Sequence, residues 1–304
     1  MLVKEAQSFM SMLLKQPEYC YEFAGVTVGL QFPEGISFTE SRSLAPFRVP
    51  QTEESVLFEV KLVERLPEPR GLLLEEELQL VVYKTEDGIL RYNECSGKKW
   101  ATARTLTEYT ANGSVIYVLP GVNKEKIASK TIVNAIGAEH LAVHAGSVML
   151  HSSYINWQGK AILFTAPSGT GKSTQAALWQ QYMAAEIING DRAAFCMENS
   201  VAVAKGVPFA GSSGICKNQT LPLAAIVYLK QAPENTLCRL KGFRAFRQIW
   251  EGCSVNTWDR KDVSQATAVL QEIVQNVPVY CLACTPDESA VSILAEELRR
   301  QENA

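Results

Sequence analysis

A glycine-rich segment constrains this chain more than any other feature of its sequence. The segment runs from Ala166 to Thr174 with the sequence APSGTGKST, after the apolar residues 161–165 and before a helix-forming run from about 173 to 185. Small residues let backbone N–H groups turn inward around an anion, and the N-terminus of a following helix adds its dipole. The pattern therefore predicts a strand, a phosphate-binding loop and a helix in that order. The alternative is an ordinary turn between a strand and a helix. Such a turn does not require glycines, a lysine and two hydroxyl residues in this order.

The residue types within the segment suit different parts of phosphate chemistry. Lys172 would neutralise charge on the β- and γ-phosphates, and Ser173 would ligate Mg²⁺. Gly169 and Gly171 are expected to adopt backbone conformations that other residues resist. Loops of this kind usually begin with glycine, whereas this one begins with Ala166. The predicted nucleotide-binding residues are Ser168, Gly169, Thr170, Gly171, Lys172, Ser173 and Thr174.

A carboxylate follows the loop at a spacing that suits a metal site. Asp191 lies 19 residues after Lys172, at the end of the short apolar run 186–189. A carboxylate at the C-terminal end of a strand next to the loop can hold the metal ion of a nucleotide. The alternative is that Asp191 only begins a turn between Gly190 and Arg192.

A histidine precedes the loop. His151 lies 21 residues before Lys172. A turn at 158–159 predicts that residues 147–157 fold back on 161–165 as a hairpin. The hairpin would bring His151 to the phosphate site as a general base or as a donor to phosphate. The alternative is a packed histidine without a chemical role.

Two further histidines, His140 and His144, are four residues apart on an expected connecting helix of about 124–143. This spacing places both side chains on one helix face. A metal pair is one interpretation. Because the sequence offers no evident third ligand, we favour histidines that are satisfied by local contacts.

The hydrophobic pattern divides the chain near residue 120. Residues 20–120 contain short runs rich in Val, Tyr, Phe and Ile between turn residues, which is typical of an antiparallel β domain. The rest alternates strands and helices, as in an α/β unit. We therefore predict a β-rich accessory or substrate-recognition domain over 1–120 and a phosphate-loop catalytic domain with a mixed sheet over 121–304.

Composition excludes several classes of partner. With 29 Lys+Arg against 32 Asp+Glu, the net charge of −3 gives no broad attraction for nucleic acid or an anionic membrane. The apolar stretches are shorter than the ~18 residues of a membrane-spanning helix. The first twenty residues lack a continuous apolar core, so we expect no secretory signal. Eight dispersed cysteines are typical of reduced thiols and favour a cytoplasmic location.

Four segments together resemble the catalytic domain of HPr kinase/phosphorylase and its HPr-kinase-like relatives. They are Leu150-His151, Gly159 to Phe164, Ser168 to Thr174 and Gly190 to Arg192. The resemblance covers roughly 145–230, and it implies the fold that this family shares with phosphoenolpyruvate carboxykinase. It also implies that Lys172 binds phosphate and that Ser173 and Asp191 bind Mg²⁺. His151 would then assist deprotonation of the acceptor.

The chain departs from the family pattern in two places. The family has two adjacent aspartates, of which the first is regarded as the base, and here that position is Gly190. The segment that recognises HPr is not recognisable, so HPr is not the expected substrate. Residues 206–218 resemble, in position, the family's mobile acceptor-side loop, in which Lys217 would stabilise charge on the transferring phosphoryl group. The alternative for this loop is a solvated connection.

These features predict an ATP- and Mg²⁺-dependent kinase whose acceptor is a hydroxyl of a peptide, a protein or a small molecule. GTP and pyrophosphate remain open as donors. Two other classes are open: a non-catalytic nucleotide-binding sensor, which Gly190 favours, and a carboxykinase-like lyase, which would need further His, Lys and Asp metal ligands. We expect no nucleic-acid or membrane partner and leave assembly of identical copies open.

Overall fold

The computed structural model describes residues 17–52, 54–110, 113–122 and 125–302. The prediction about the first twenty residues falls mostly outside these ranges, and so does the expected helix start at 124. The described residues form two compact units. The first contains residues 17–22 and 26–137, and the second contains residues 23–25 and those from 138 onward.

The first unit extends beyond the boundary that the sequence suggests near residue 120. A buried hydrogen bond explains why residues up to 137 belong to it, since Oγ1 of Thr107 donates to the carbonyl of Ala135 at 2.7 Å. Its described elements are β1 (Tyr19–Phe23), β2 (Val26–Gln31), β3 (Ser37–Thr39), β4 (Arg48–Val49), β5 (Val56–Leu62), β6 (Leu72–Glu76), β7 (Leu80–Lys84), β8 (Gly88–Asn93), β9 (Thr105–Thr110), β10 (Gly113–Val118), β11 (Lys126–Ala128) and α1 (Ser129–Ala135).

The first unit is β-rich, as predicted, but its main sheet is not wholly antiparallel. The strand order is β4-β1-β2-β5-β10-β9-β8-β7-β6. Strand β5 pairs in parallel with both β2 and β10, and β3 pairs in parallel with β11. The prediction of an antiparallel domain was therefore wrong for these pairs. Hydrophobic alternation identifies a strand but not its direction, and the connections between these strands are long enough for parallel crossovers.

The single connecting helix predicted over 124–143 is also wrong. The segment contains β11, then α1, and then a second short helix, α2 (Ala138–His144). Gly137 separates the helices with a φ of +55°. Its place is crowded, because a Cβ atom there would lie 3.1 Å from Cζ of Arg91 and nearer still to Nη1 of that residue. A glycine in the left-handed region ends a helix although the hydrophobic spacing continues.

The second unit begins with α2 and contains the predicted alternation of strands and helices. Its other elements are β12 (Val148–Trp157), β13 (Lys160–Thr165), α3 (Lys172–Met183), β14 (Glu186–Asn189), β15 (Arg192–Glu198), β16 (Val201–Gly206), β17 (Thr220–Gln231), β18 (Thr236–Leu240), α4 (Gly242–Trp250), β19 (Cys253–Ser254), α5 (Arg260–Asn276), β20 (Val279–Cys284) and α6 (Glu288–Glu302).

The sheet of the second unit is mixed, which confirms the α/β class. Strand β12 pairs antiparallel with β13, β14, β15 and β19. Strand β17 pairs in parallel with β13 and β20. The hairpin turn between β12 and β13 is confirmed as well, with positive φ angles of 54° at Gln158 and 80° at Gly159. Two such residues match the twist that a two-residue hairpin requires.

Two apolar clusters form the core of the second unit. One contains Ile249 of α4 and Leu270 of α5, and the other contains Trp179 of α3 and Leu294 of α6, all fully buried. Helices therefore cover the strands from two sides, which explains the near-continuous apolar character of β13 and the middle of β17. None of the helices described here combines the length and the apolar character needed to cross a membrane.

Candidate functional site

The loop between β13 and α3 has a backbone shape that depends on two glycines. The φ angle is +78° at Gly169 and +117° at Gly171. Residues with a Cβ atom rarely adopt these values, so the expectation for both glycines is confirmed. Gly171 directly precedes α3, which begins at Lys172. The loop thus ends at a helix N-terminus, where the helix dipole favours a negative charge.

Lys172 is held at the mouth of this loop. Its side chain is mostly buried, and its Nζ donates to the carbonyl oxygens of Ala166 at 2.9 Å and Pro167 at 3.3 Å. Burial lowers the pKa of the Lys172 ammonium, and the nearby Asp191 carboxylate opposes this shift. The lysine is therefore fixed by its own loop and lies within electrostatic range of Asp191.

The backbone of His151 is fixed on both sides. Its N–H donates to the carbonyl of Gly252 at 2.9 Å, and its carbonyl accepts a hydrogen bond from Oγ1 of Thr165 at 3.0 Å. His151 also pairs with Arg192 in the register of β12 and β15. These contacts place the imidazole between the end of β13 and the start of β15.

The imidazole of His151 faces the carboxylate of Asp191. Nε2 of His151 lies 3.7 Å from Oδ1 of Asp191, and both side chains are partly exposed. Burial lowers the pKa of His151 below its ordinary value, the charges of Lys172 and Arg192 lower it further, and Asp191 opposes them. The lowered pKa of His151 favours the neutral imidazole, which can accept a proton. The structure brings His151, Lys172 and Asp191 into one electrostatic cluster.

Asp191 is positioned by the turn between β14 and β15. The side-chain oxygen of the buried Asn189 accepts hydrogen bonds from the N–H groups of Asp191 at 2.8 Å and Arg192 at 3.0 Å. The carbonyl of Asp191 accepts the N–H of Ser152 at 3.0 Å. Nε of Arg192 lies 3.4 Å from Oδ2 of Asp191. The carboxylate therefore projects from a turn that neighbouring strands hold in place.

A short helical turn at 211–213 packs directly on this turn. A Cβ atom added to Gly211 would lie 2.7 Å from Cβ of Asp191. A Cβ atom added to Gly190 would lie 2.7 Å from Cβ of Ser213. Oγ of Ser213 donates to the carbonyl of Ala210 at 2.8 Å and accepts the N–H of Ile215 at 3.2 Å. Part of the loop that the sequence assigns to the acceptor side therefore lies beside Asp191.

A cavity of about 370 Å³ opens beside His151. Its lining includes His151, Ala166, Arg192, Tyr228 and Glu251. The imidazole, the start of the glycine loop and further polar side chains therefore line one cavity. A second cavity, of about 330 Å³, lies along the same loop and is lined by Gly169, Gly171 and Thr174 among others.

The remaining predicted residues differ in their placement. Ser168 is exposed in the loop, and Ser173 and Thr174 are exposed in the first turn of α3, next to Lys172. Lys217 is not brought to the cluster, because its Nζ forms an ion pair with Glu186. Glu186 is the first residue of β14, at the opposite end of that strand from the turn that carries Asp191. The catalytic role expected for Lys217 has no support from its position.

Sequence reasoning missed two groups of residues. The first comprises Tyr228 and Glu251, which line the cavity beside His151, and nothing in their own sequence neighbourhoods signals this. The second is Asp262, whose carboxylate contacts both His140 and His144. Both histidines thus have a protein partner, as expected, but this partner is not local, because Asp262 lies more than a hundred residues further along the chain.

Comparison with known proteins gives little beyond this geometry. No family model matches the chain, and no curated protein matches its sequence. Among solved structures, the chain is similar to the HPr(Ser) kinase/phosphatase from Coxiella burnetii, with 12% sequence identity and a TM-score of 0.30. The match covers 51% of this chain and 90% of that one. This is a weak structural relation.

Proposed function

We propose that this protein is an ATP- and Mg²⁺-dependent kinase that transfers the γ-phosphoryl group to a hydroxyl of a peptide, a protein or a small molecule. The observation that supports this most directly is the cluster of His151, Lys172 and Asp191 at the glycine loop. Nε2 of His151 lies 3.7 Å from Oδ1 of Asp191, and the charge of Lys172 acts on both groups. Phosphoryl transfer needs positioning and charge stabilisation more than covalent chemistry from the protein.

The glycine loop and Lys172 would bind the phosphates. Backbone N–H groups near the N-terminus of α3 and the Lys172 ammonium are suited to a polyphosphate chain. To contact phosphate, Nζ of Lys172 would exchange its bonds to the Ala166 and Pro167 carbonyls for charge-assisted bonds to phosphate oxygens.

His151 would act on the acceptor. As a neutral imidazole it takes the proton of the attacking hydroxyl on Nε2, while the acceptor oxygen forms a bond to the γ-phosphorus. The bond between that phosphorus and the β,γ-bridging oxygen breaks, and ADP leaves with the electron pair. Asp191 then stabilises the imidazolium, since its Oδ1 faces the same nitrogen.

The residues present fit a hard divalent cation. The carboxylate of Asp191 is 29% exposed and interacts electrostatically with Lys172, and Ser173 offers a hydroxyl one residue after that lysine. Carboxylate and hydroxyl oxygens are the donors that Mg²⁺ prefers, together with water and phosphate oxygens. When bound, Mg²⁺ would neutralise charge on the β- and γ-phosphates.

The experiment that tests this function follows the phosphate of ATP. The full-length protein is incubated with ATP and Mg²⁺, and with a mixed peptide library or a metabolite extract. Mass spectrometry then detects products heavier by one phosphate. We expect such products with the native protein and a loss of at least about 10²-fold in their formation with Asp191→Asn. ATP binding without any phosphorylated product from either pool would contradict the proposal.

One observation favours a second candidate, a nucleotide-binding sensor. Gly190 stands where related kinases carry an acid, and the packing of Ser213 leaves no room for a side chain there. A sensor would bind ATP at the glycine loop but would form no product in the assay above. Binding measured by calorimetry beside that assay therefore separates the two functions.

A further inference from the structure

A second cluster of side chains in the same unit has a donor set suited to a transition metal. Helix α2 carries His140 and His144, which are one helical turn apart, and their ring centroids are 4.4 Å apart. Residues at this spacing lie on one helix face. Both rings direct a nitrogen toward the same point on α5.

Asp262 of α5 occupies that point. Its carboxylate is fully buried. Nδ1 of His140 lies 3.0 Å from both carboxylate oxygens, and Nε2 of His144 lies 3.1 Å from Oδ1. One ligand atom from each of the three residues lies within 4.8 Å of the other two. Helices α2 and α5 thus converge on one carboxylate through two imidazoles.

The spacing of these donor atoms matches the coordination shell of zinc. Bonds of about 2.0–2.1 Å to a tetrahedral ion place neighbouring ligand atoms about 3.3 Å apart. The nitrogen-to-oxygen separations of 3.0 Å and 3.1 Å need only a few tenths of an ångström of expansion to admit the ion, and the three ligand atoms all lie within 4.8 Å of one another. A buried carboxylate also requires a compensating charge, which a divalent cation supplies.

The surroundings of Asp262 support the same assignment. Nδ2 of the buried Asn256 donates to Oδ2 of Asp262 at 2.8 Å. This bond fixes the carboxylate and leaves Oδ1, which both histidines contact, available to a cation. Hydrogen bonds of this kind orient the ligands of metal sites. The side chain of His144 is 39% exposed, so a water molecule can reach a fourth position.

We propose that His140, His144 and Asp262 form a zinc site with three protein ligands and one water ligand. Two imidazoles and a carboxylate favour zinc over Mg²⁺ or Ca²⁺, which prefer oxygen donors. The site is separate from the glycine loop, and the proposal does not depend on the kinase function. It would link α2 to α5 and, through Asn256, to the segment that follows β19. Both residues of β19, Cys253 and Ser254, line the cavity beside His151.

The test measures metal content on untagged protein, because an affinity tag would bind metal itself. We expect elemental analysis to find about one zinc per chain after reconstitution and dialysis. His144→Ala and Asp262→Asn should each weaken zinc binding by at least about 10²-fold. The matched control is Asp259→Asn, which changes an acid just before the same helix but keeps its capping oxygen, and it should retain the metal.

Cobalt provides a measurement on the native chain that does not depend on the folding of any variant. Co²⁺ added to the metal-free protein should give the visible bands of a tetrahedral site without a thiolate charge-transfer band, since the ligands are nitrogen and oxygen. Absence of zinc uptake and of these bands would overturn the proposal and leave a hydrogen-bonded His–Asp–His array. A thiolate band, equal zinc in all variants, or iron as the bound metal would also overturn it.

Discussion

Gly190 and Ser213 are packed so closely that position 190 has no room for a side chain. A Cβ atom on Gly190 would lie 2.7 Å from Cβ of Ser213 and closer still to its Oγ. The turn that carries Asp191 and the loop at 211–213 are therefore fitted to each other. The glycine at position 190 and the position of the loop are therefore one structural feature.

We expect Gly190→Asp to destabilise the protein by about 1–3 kcal/mol, because the new side chain overpacks the contact with Ser213. Removing the obstacle with Ser213→Gly should recover part of this loss. Urea denaturation of both single variants and the double variant gives the coupling, which should reach about 0.5–3 kcal/mol. An equal effect of Gly190→Asp in both backgrounds would mean that Ser213 does not restrict this position.

The conformation of Gly169 allows a matched comparison. Gly169 and Gly35 both have a φ of +78°, and in both places a Cβ atom would meet nothing within 4 Å. Replacing either with alanine should cost roughly 1–2 kcal/mol of stability from backbone strain. Only Gly169→Ala should also weaken ATP binding, because only Gly169 lies in the glycine loop. Equal ATP affinity in the two variants would separate the loop from nucleotide binding.

The ammonium of Lys172 should dominate nucleotide affinity. Lys172→Ala removes the charge that the loop holds, and we expect ATP to bind at least about 10-fold more weakly in calorimetry, as loss of a charge-assisted bond implies. The control is Lys241→Ala, which removes an exposed lysine next to α4 and should leave the affinity unchanged. Unaltered binding by Lys172→Ala would remove the loop from the mechanism.

His151 should affect transfer rather than binding. His151→Gln keeps a polar side chain on β12 but cannot take the acceptor proton, so we expect product formation to fall about 10²–10⁴-fold. The dissociation constant for ATP, measured on the same preparation, should stay within about twofold, since in the proposed function the loop and Lys172 bind the phosphates. Equal rates in the two proteins would return His151 to a packing role.

The sequence predicts the parts of this site that depend on neighbouring residues. The turn at Gln158 and Gly159, the paired strands around it and the glycine loop before α3 all follow from patterns within about a dozen residues. These local signals predict that His151 lies near Lys172, and the charge of Lys172 does act on His151 in the folded chain.

The features of the fold and the site that the sequence does not predict depend on contacts between distant segments of the chain. Nothing near Asp262 indicates that it meets His140 and His144, and nothing near Ser213 indicates that it meets Gly190. The ion-pair partner of Lys217 could not be predicted from the sequence either. The side chain of a loop residue pairs with whichever charged group the fold places near it, and for Lys217 that group is Glu186. Likewise, the alternation of apolar and polar residues in β5 does not indicate that β5 pairs in parallel with β2 and β10.

Strand β12 pairs with four other strands, and it carries His151 near one of these junctions. Backbone amides enclosed in this way exchange their hydrogens with solvent only when a large part of the surrounding unit opens. The backbone of His151 therefore keeps its position for as long as the unit stays folded. In the proposed kinase, adjustment to different acceptors would come from the segments around this backbone, such as 211–213, and evolution can vary those segments without moving His151.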